Sequence, residues 1–207
     1  MDGEESRNRI VVGMTGASGA AYGYELVKAL HERGREVHLI VSPRGEEILS
    51  LELGIPKAKL AKLAYRLYAN DEMTSPLSSG SFVFDSMVIA PCSMRTLASI
   101  ASGSSDALIP RVAEVCLKER RRLILVPRET PISLIHIRNM ETLALSGATI
   151  LPAMPAFYPR PETVQDMVRF VVGKILDQLG IDHSLFTRWA GDPRKPGRPG
   201  SCVSRSP

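Results

Sequence analysis

Four stretches of this sequence gather residue types able to do chemistry, and each follows a short apolar run. The first, Gly13-Met14-Thr15-Gly16-Ala17-Ser18-Gly19, has glycines that let backbone approach a phosphate, and it precedes a helical pattern whose free N–H groups attract negative charge. Its spacing is GxxGxxG rather than GxGxxG, and Ser42 stands where a dinucleotide binder carries an acid, which favours a mononucleotide over NAD. A tight turn with a purely structural purpose has the same glycines. The second, Pro91-Cys92-Ser93-Met94-Arg95-Thr96, offers two hydroxyls that cap a helix or hold a ligand. Cys92 has no histidine near it in sequence to activate it, so packing is its expected role. The third, Val126-Pro127-Arg128-Glu129-Thr130-Pro131, sets a guanidinium and a carboxylate between prolines. Arg128 can grip a phosphate or a ring carbonyl and Glu129 can transfer a proton, or the two can pair and fix the loop. The fourth runs from Pro152 to Tyr158 and presents a phenol among prolines, for a ligand or for packing.

Other candidates carry less. Lys118-Glu119-Arg120-Arg121-Arg122 ends a helical pattern, where cations offset the carbonyl end of the helix dipole. His31, His38, His136 and His183 are scattered without metal-ligand spacing, so no metal is expected. Three cysteines (Cys92, Cys116, Cys202) without a CxxC suggest neither a disulfide framework nor structural zinc, and fit a reducing compartment.

The elements that must position these loops are legible in the apolar pattern. Runs at Ile10–Val12, Val37–Val41, Met87–Ala90, Leu123–Val126 and Thr149–Leu151 predict strands. Helical spacing recurs from Tyr24 to Leu30 and near residues 43–52, 94–101, 110–121, 132–145 and 162–179. Strand and helix alternating with short connections predicts an open parallel α/β sheet covered on both faces, whose ligands bind outside the carboxyl ends of the strands. Residues 70–81 read as a polar loop with local turns. The 207 residues, 44% hydrophobic and 23% charged, suit one globular domain. That domain is expected over 10–190, with residues 1–9 and a basic tail, 191–207, disordered. The net charge of +4 resides largely in that tail, which carries Arg194, Lys195, Arg198 and Arg205 against Asp192. The body is too nearly neutral to indicate a nucleic-acid partner. No apolar run approaches the roughly 20 residues that span a bilayer, so a cytoplasmic protein with no membrane partner is expected.

Taken together, the segments GMTGASGAAYG, SSGSF, APCSMRTLASIASG, LIPRVAEVCLKERRRLILVPRETPISLIHIRNM, ILPAMPAFYPRP and LFTRWAG resemble the UbiX family of flavin prenyltransferases, in family order over residues 10–191. The resemblance implies a flavodoxin-like, Rossmann-type subunit assembled into a homododecamer, with sites at subunit interfaces. It implies that reduced FMN accepts a dimethylallyl group from dimethylallyl phosphate, first at N5 and then at C6, without metal. The prenylated FMN would serve a UbiD-type decarboxylase. Gly16, Ala17, Ser18, Ser42, Ser93, Met94, Arg95, Thr96 and Arg128 match flavin-binding positions of the family. Lys118, Tyr158 and Lys174 match positions holding the prenyl phosphate, with Arg111 nearby. Glu129 matches the acid–base carboxylate, with Ser18 and Glu52 as further catalytic positions.

Such a reaction suits these residues, because breaking an allylic C–O bond leaves a delocalised cation and a phosphate that cations and a phenol stabilise. Two departures stand out: Arg95 replaces the lysine of CSMKT, and Lys174 stands where relatives often carry arginine, trading a bidentate grip for a point charge. Two rival readings share the fold. An FMN-dependent cysteine decarboxylase would use a histidine before the third predicted strand and an asparagine in PASANT, whereas residues 66–86 contain no histidine and position 95 is arginine. A non-catalytic FMN carrier would not need the Lys118, Glu129, Tyr158 and Lys174 set.

Overall fold

The computed structural model describes residues 9–191. The apolar runs form β1 (Arg9–Met14), β2 (Glu36–Val41), β4 (Ser86–Cys92), β5 (Arg122–Pro127) and the short β6 (Thr149–Ile150), and an unexpected edge strand, β3 (Arg66–Ala69), joins them. All pairings are parallel, in the order β3-β2-β1-β4-β5-β6. Without β3 the order is the flavodoxin one; the extra strand extends it to the Rossmann order. The architecture is therefore the expected flavodoxin-like α/β sheet. No helix among the described residues is long and apolar enough to cross a membrane.

The central strands are apolar on both sides because helices cover both faces. Alternate residues feed two cores. On one face Val12, Leu39 and Val88 meet Leu26 and Leu30 of α1 (Ala20–His31) and Phe170, Val171 and Ile175 of α7 (Val164–Leu179). On the other, Val11, Ile89 and Leu125 meet Leu97 of α4 (Met94–Ala101), Val112 and Cys116 of α5 (Leu108–Lys118) and Leu143 of α6 (Leu134–Leu145). Gly23 lets α1 lie directly on β4: a Cβ there would collide with the Ala90 carbonyl and the Met14 side chain. The remaining helices, α2 (Pro43–Leu53) and α3 (Lys57–Ala61), lie between β2 and β3.

Several boundaries differ from expectation. Strand β1 begins at Arg9, inside the N-terminal segment expected to be disordered. Its N–H donates to Asp85 Oδ2 at 3.1 Å and its Nε to Glu36 at 2.9 Å, so partners from β2 and the approach to β4 extend the strand. The rest of that segment, and all of the tail but Gly191, lie outside the described residues. Edge strand β3 has exposed ends at Arg66 and Ala69 and too little apolar pattern to announce itself. Tertiary contact forms it: Tyr68 is buried, and its hydroxyl lies 2.7 Å from His38 Nδ1 on β2. Helix α5 stops at Lys118, three residues before the expected end, and the chain turns through Arg120 with φ 54°. Arg121 is not a solvated cap; it donates to the carbonyls of Gly80 and Phe82.

Candidate active site

At the carboxyl ends of β1, β2 and β4, where the crossovers change direction, the loops enclose a cleft of about 800 Å³, lined by Thr15, Gly16, Ser42, Arg44, Ser93, Arg95, Thr96, Ile109 and Pro110 among others. That lies in the size range of small-molecule sites, ~300–1,000 Å³. Thr15, whose role the sequence does not announce, joins two of the loops: its buried hydroxyl donates to the Pro91 carbonyl at 2.8 Å and accepts from the Ser93 N–H at 2.8 Å. The signal available was a hydroxyl at the end of an apolar strand, which must find partners when buried.

Helices α2 and α4 open onto this cleft. Ser42 caps the first, accepting from Gly45 N–H at 3.0 Å; Ser93 caps the second, accepting from Thr96 N–H at 3.3 Å, with the Thr96 hydroxyl 3.0 Å away. Both serines are therefore caps, and both line the cleft. Exposed Arg95 lies beside the second cap. Two helix N-termini, hydroxyls and guanidinium groups make this wall fit for a phosphate, while Ile109 and Pro110 supply apolar surface for a ring.

The start of α1 differs. Glu52 of α2 reaches it, accepting from Gly19 N–H at 2.9 Å and Ala20 N–H at 2.8 Å. A carboxylate of the same chain thus takes the place the glycine loop was expected to offer a ligand phosphate, which leaves α2 and α4 as the anion-facing starts. Burial works to raise the Glu52 pKa, but hydrogen bonds from Ser18, Gly19 and Ala20 and the charge of Arg128 outweigh it and hold the carboxyl below its ordinary value. Arg128 in turn donates from Nε to the Ser18 carbonyl at 3.0 Å. Arg128 and Glu129 do not form the mutual pair considered above: Glu129 Oε1 instead accepts from Thr130 N–H at 3.0 Å. Both line a small recess of about 110 Å³ walled by Met94, Ile132, Met140 and Met154. Met94 and Arg95, neighbours in the chain, line this recess and the large cleft respectively, so both spaces reach the first turn of α4. Cys92 is fully buried and its thiol is pushed up to about 12 by desolvation, as packing requires.

The four residues matched to the prenyl phosphate are not brought together. Arg111 and Lys118 lie seven residues apart on α5, so they share a side of the helix about 10 Å apart along its axis. Arg111 donates to the Ser78 carbonyl at 3.2 Å and to Glu114 at 2.9 Å; exposed Lys118 pairs with Glu119 at 3.2 Å. Tyr158 and Lys174 lie with α7: Tyr158 meets the ring of Phe170 edge-on with centroids 5.9 Å apart, and Lys174 follows one turn later. Helices α5 and α7 cover opposite faces of the sheet. The sheet therefore separates the two pairs within one chain.

Residues 1–176 match the Flavoprotein family. The flavin prenyltransferase UbiX of Methanocaldococcus jannaschii is 50% identical over 181 residues, covering 87% of this chain and 98% of that protein. A crystal structure of AnUbiX (PadA1) in complex with FMN and dimethylallyl pyrophosphate superposes with a TM-score of 0.88 at 45% identity, over 89% of this chain and 98% of that one. A dodecameric FMN-dependent UbiX-like decarboxylase from Escherichia coli O157:H7 gives 0.87 at 45% identity, over 88% and 100%. The chain belongs to the UbiX flavin prenyltransferases within the Flavoprotein family.

Proposed function

We infer that this protein is a metal-independent flavin prenyltransferase that moves the dimethylallyl group of dimethylallyl phosphate to N5 and then C6 of reduced FMN. The carrying observation is the pair of spaces that reach the first turn of α4 at the strand ends: a phosphate-fitted cleft under the caps of α2 and α4, and an apolar recess bearing Arg128 and Glu129. The first suits the mononucleotide, with Gly16, Ala17, Ser18, Ser42, Ser93, Met94, Arg95, Thr96 and Arg128 as its contacts. The second holds the Glu129 carboxylate, which suits the proton transfer that ring closure requires. The reduced flavin supplies the electron-rich ring that captures the allylic cation.

The protein's own contribution is positioning and charge. As the C–O bond breaks, its electron pair stays on the phosphate, and Arg111, Lys118, Tyr158 and Lys174 stabilise that developing charge. Because the sheet divides these four residues, a complete phosphate site needs neighbouring chains, and a homo-oligomer follows; the dodecamer of the Escherichia coli relative is the state we assign. Glu129 transfers the proton, with Ser18 and Glu52 holding the adjacent loop. The prenylated flavin passes to a UbiD-type decarboxylase. A cytoplasmic setting suits the buried free thiols Cys92 and Cys116.

The test is anaerobic incubation of the purified protein with reduced FMN and dimethylallyl phosphate, followed by mass spectrometry of the released flavin. Flavin carrying one prenyl unit is expected. Unmodified FMN would mark a carrier, and consumption of a peptidyl or pantothenoyl cysteine in a parallel incubation supplied with one would mark a decarboxylase.

A further inference from the structure

Beyond α7 the chain doubles back. Gly180 ends the helix in the left-handed conformation, φ 70°, and residues 181–191 return along the α7 surface. Asp177 gathers three side chains there. Arg188 donates twice, Nη2 to Oδ1 at 2.6 Å and Nη1 to Oδ2 at 3.2 Å; Lys174 donates to Oδ2 at 3.3 Å. His183 lies 3.1 Å from Oδ1 through Nε2, and because its Nδ1 accepts from the Leu185 N–H, Nε2 is the donor. The His183 side chain is fully buried. Phe186 packs into the groove over Gly173, where a Cβ would come within 2.5 Å of its ring, and it meets Phe170 with ring centroids 4.7 Å apart. A glycine inside a helix is destabilising relative to alanine, so its presence here serves that close approach. Trp189 then meets Tyr158 edge-on at 5.6 Å.

The returning segment therefore ends against one residue matched to the substrate phosphate, and Asp177 touches the other. We propose that Asp177 is a positioning residue for that phosphate: it fixes the Lys174 ammonium directly and, through Arg188 and His183, straps residues 183–189 along α7 so that Trp189 backs Tyr158. The inference rests on the reading that Tyr158 and Lys174 hold the prenyl phosphate. Asp177 itself never meets substrate. Its charge is what lets two cations and a buried imidazole share one small volume, and Lys174, shorter of hydrogen bonds than an arginine, depends on that anchoring to keep its aim.

Asp177→Asn in the full-length oligomer keeps the size and removes the charge. The KM for dimethylallyl phosphate should rise about tenfold or more, the scale of one charge-assisted hydrogen bond. FMN affinity, read by quenching of flavin fluorescence, should stay near wild type. Trp189 is the single tryptophan, so its emission reports the strap directly and should shift to the red. Asp177→Glu should recover most of the loss. Gly173→Ala, which crowds both Phe186 and the His183 ring while leaving every charged group in the sequence, should move the Trp189 emission and raise KM more modestly. A lower melting temperature with KM unchanged in both Asp177→Asn and Gly173→Ala overturns the proposal, as does an unmoved Trp189 in Asp177→Asn. Failure of the wild-type protein itself to prenylate FMN would instead overturn the functional reading on which the proposal stands.

Discussion

The strand-end cleft and the prenyl-phosphate residues differ in how far one chain can build them. The cleft is finished by local contacts: Thr15 bridges two loops, Ser42 and Ser93 cap two helices, and Glu52 and Arg128 lock Ser18 and Gly19 between them. The phosphate residues are held just as firmly, yet in separate places, with Arg111 and Lys118 on one face of the sheet and Tyr158 and Lys174 on the other. On the proposed reading, the flavin site is a property of the fold and the prenyl-transfer site a property of the assembly. The surface agrees: Leu134, Ile135, Ile137 and Leu145 of α6 are largely exposed, an apolar face far from what a lone soluble chain usually shows.

The largest expected effect falls on the chemistry shared by both regions. Glu129→Gln should bind FMN normally and lose prenylated product by ~10²–10⁴-fold, the usual range for a missing general acid or base. Full turnover in a product assay would reduce Glu129 to a loop residue. Next comes Lys118→Met, which leaves the flavin cleft untouched; a loss of about 10–100-fold in kcat/KM for dimethylallyl phosphate is expected, with FMN affinity intact. Weakened FMN binding instead would blur the division between the regions.

Glu52→Gln probes the cleft alone. It removes the carboxylate that caps α1, costing about 1 kcal/mol and lowering the melting temperature by about 2–4 °C in a domain of this size. Because the folded carboxyl lies below its ordinary value, that contribution is present at neutral pH and fades only as acid carries the pH down through the folded value. The smallest effect concerns Asp177. Hydrogen bonding from Arg188 first, then from His183 and Lys174 against the opposing burial, holds its carboxyl at about 2. The strap should remain seated above about pH 4, the ordinary carboxylate range, and loosen as pH falls through about 2. Trp189 emission followed through an acid titration checks this, and release already near pH 5 would contradict it.

Much of the fold was legible because β-branched runs ending in proline or glycine mark buried strands almost without ambiguity. Strand β3 was not, since its stability comes from pairing with β2 and from the His38–Tyr68 contact rather than from its own composition. The flavin loops could be read from glycine and hydroxyl spacing, but their wiring could not. Nothing in the sequence indicates that Glu52, 33 residues past Gly19, caps α1, or that Arg128 turns to Ser18 and away from Glu129. The residues matched to the prenyl phosphate were legible only through family resemblance, because side chains held on opposite faces of the sheet leave no spacing pattern in the chain.

Subunit mixing tests the central claim most directly. Lys118→Met and Lys174→Met should each be strongly impaired as pure oligomers, but after dissociation and reassembly at equal ratio about a quarter of the sites should draw both intact residues from different chains. Recovery of prenylation to roughly that fraction is the predicted result. Mixtures no more active than either variant alone, with mixed oligomers verified by native mass spectrometry, would contradict a site shared between chains.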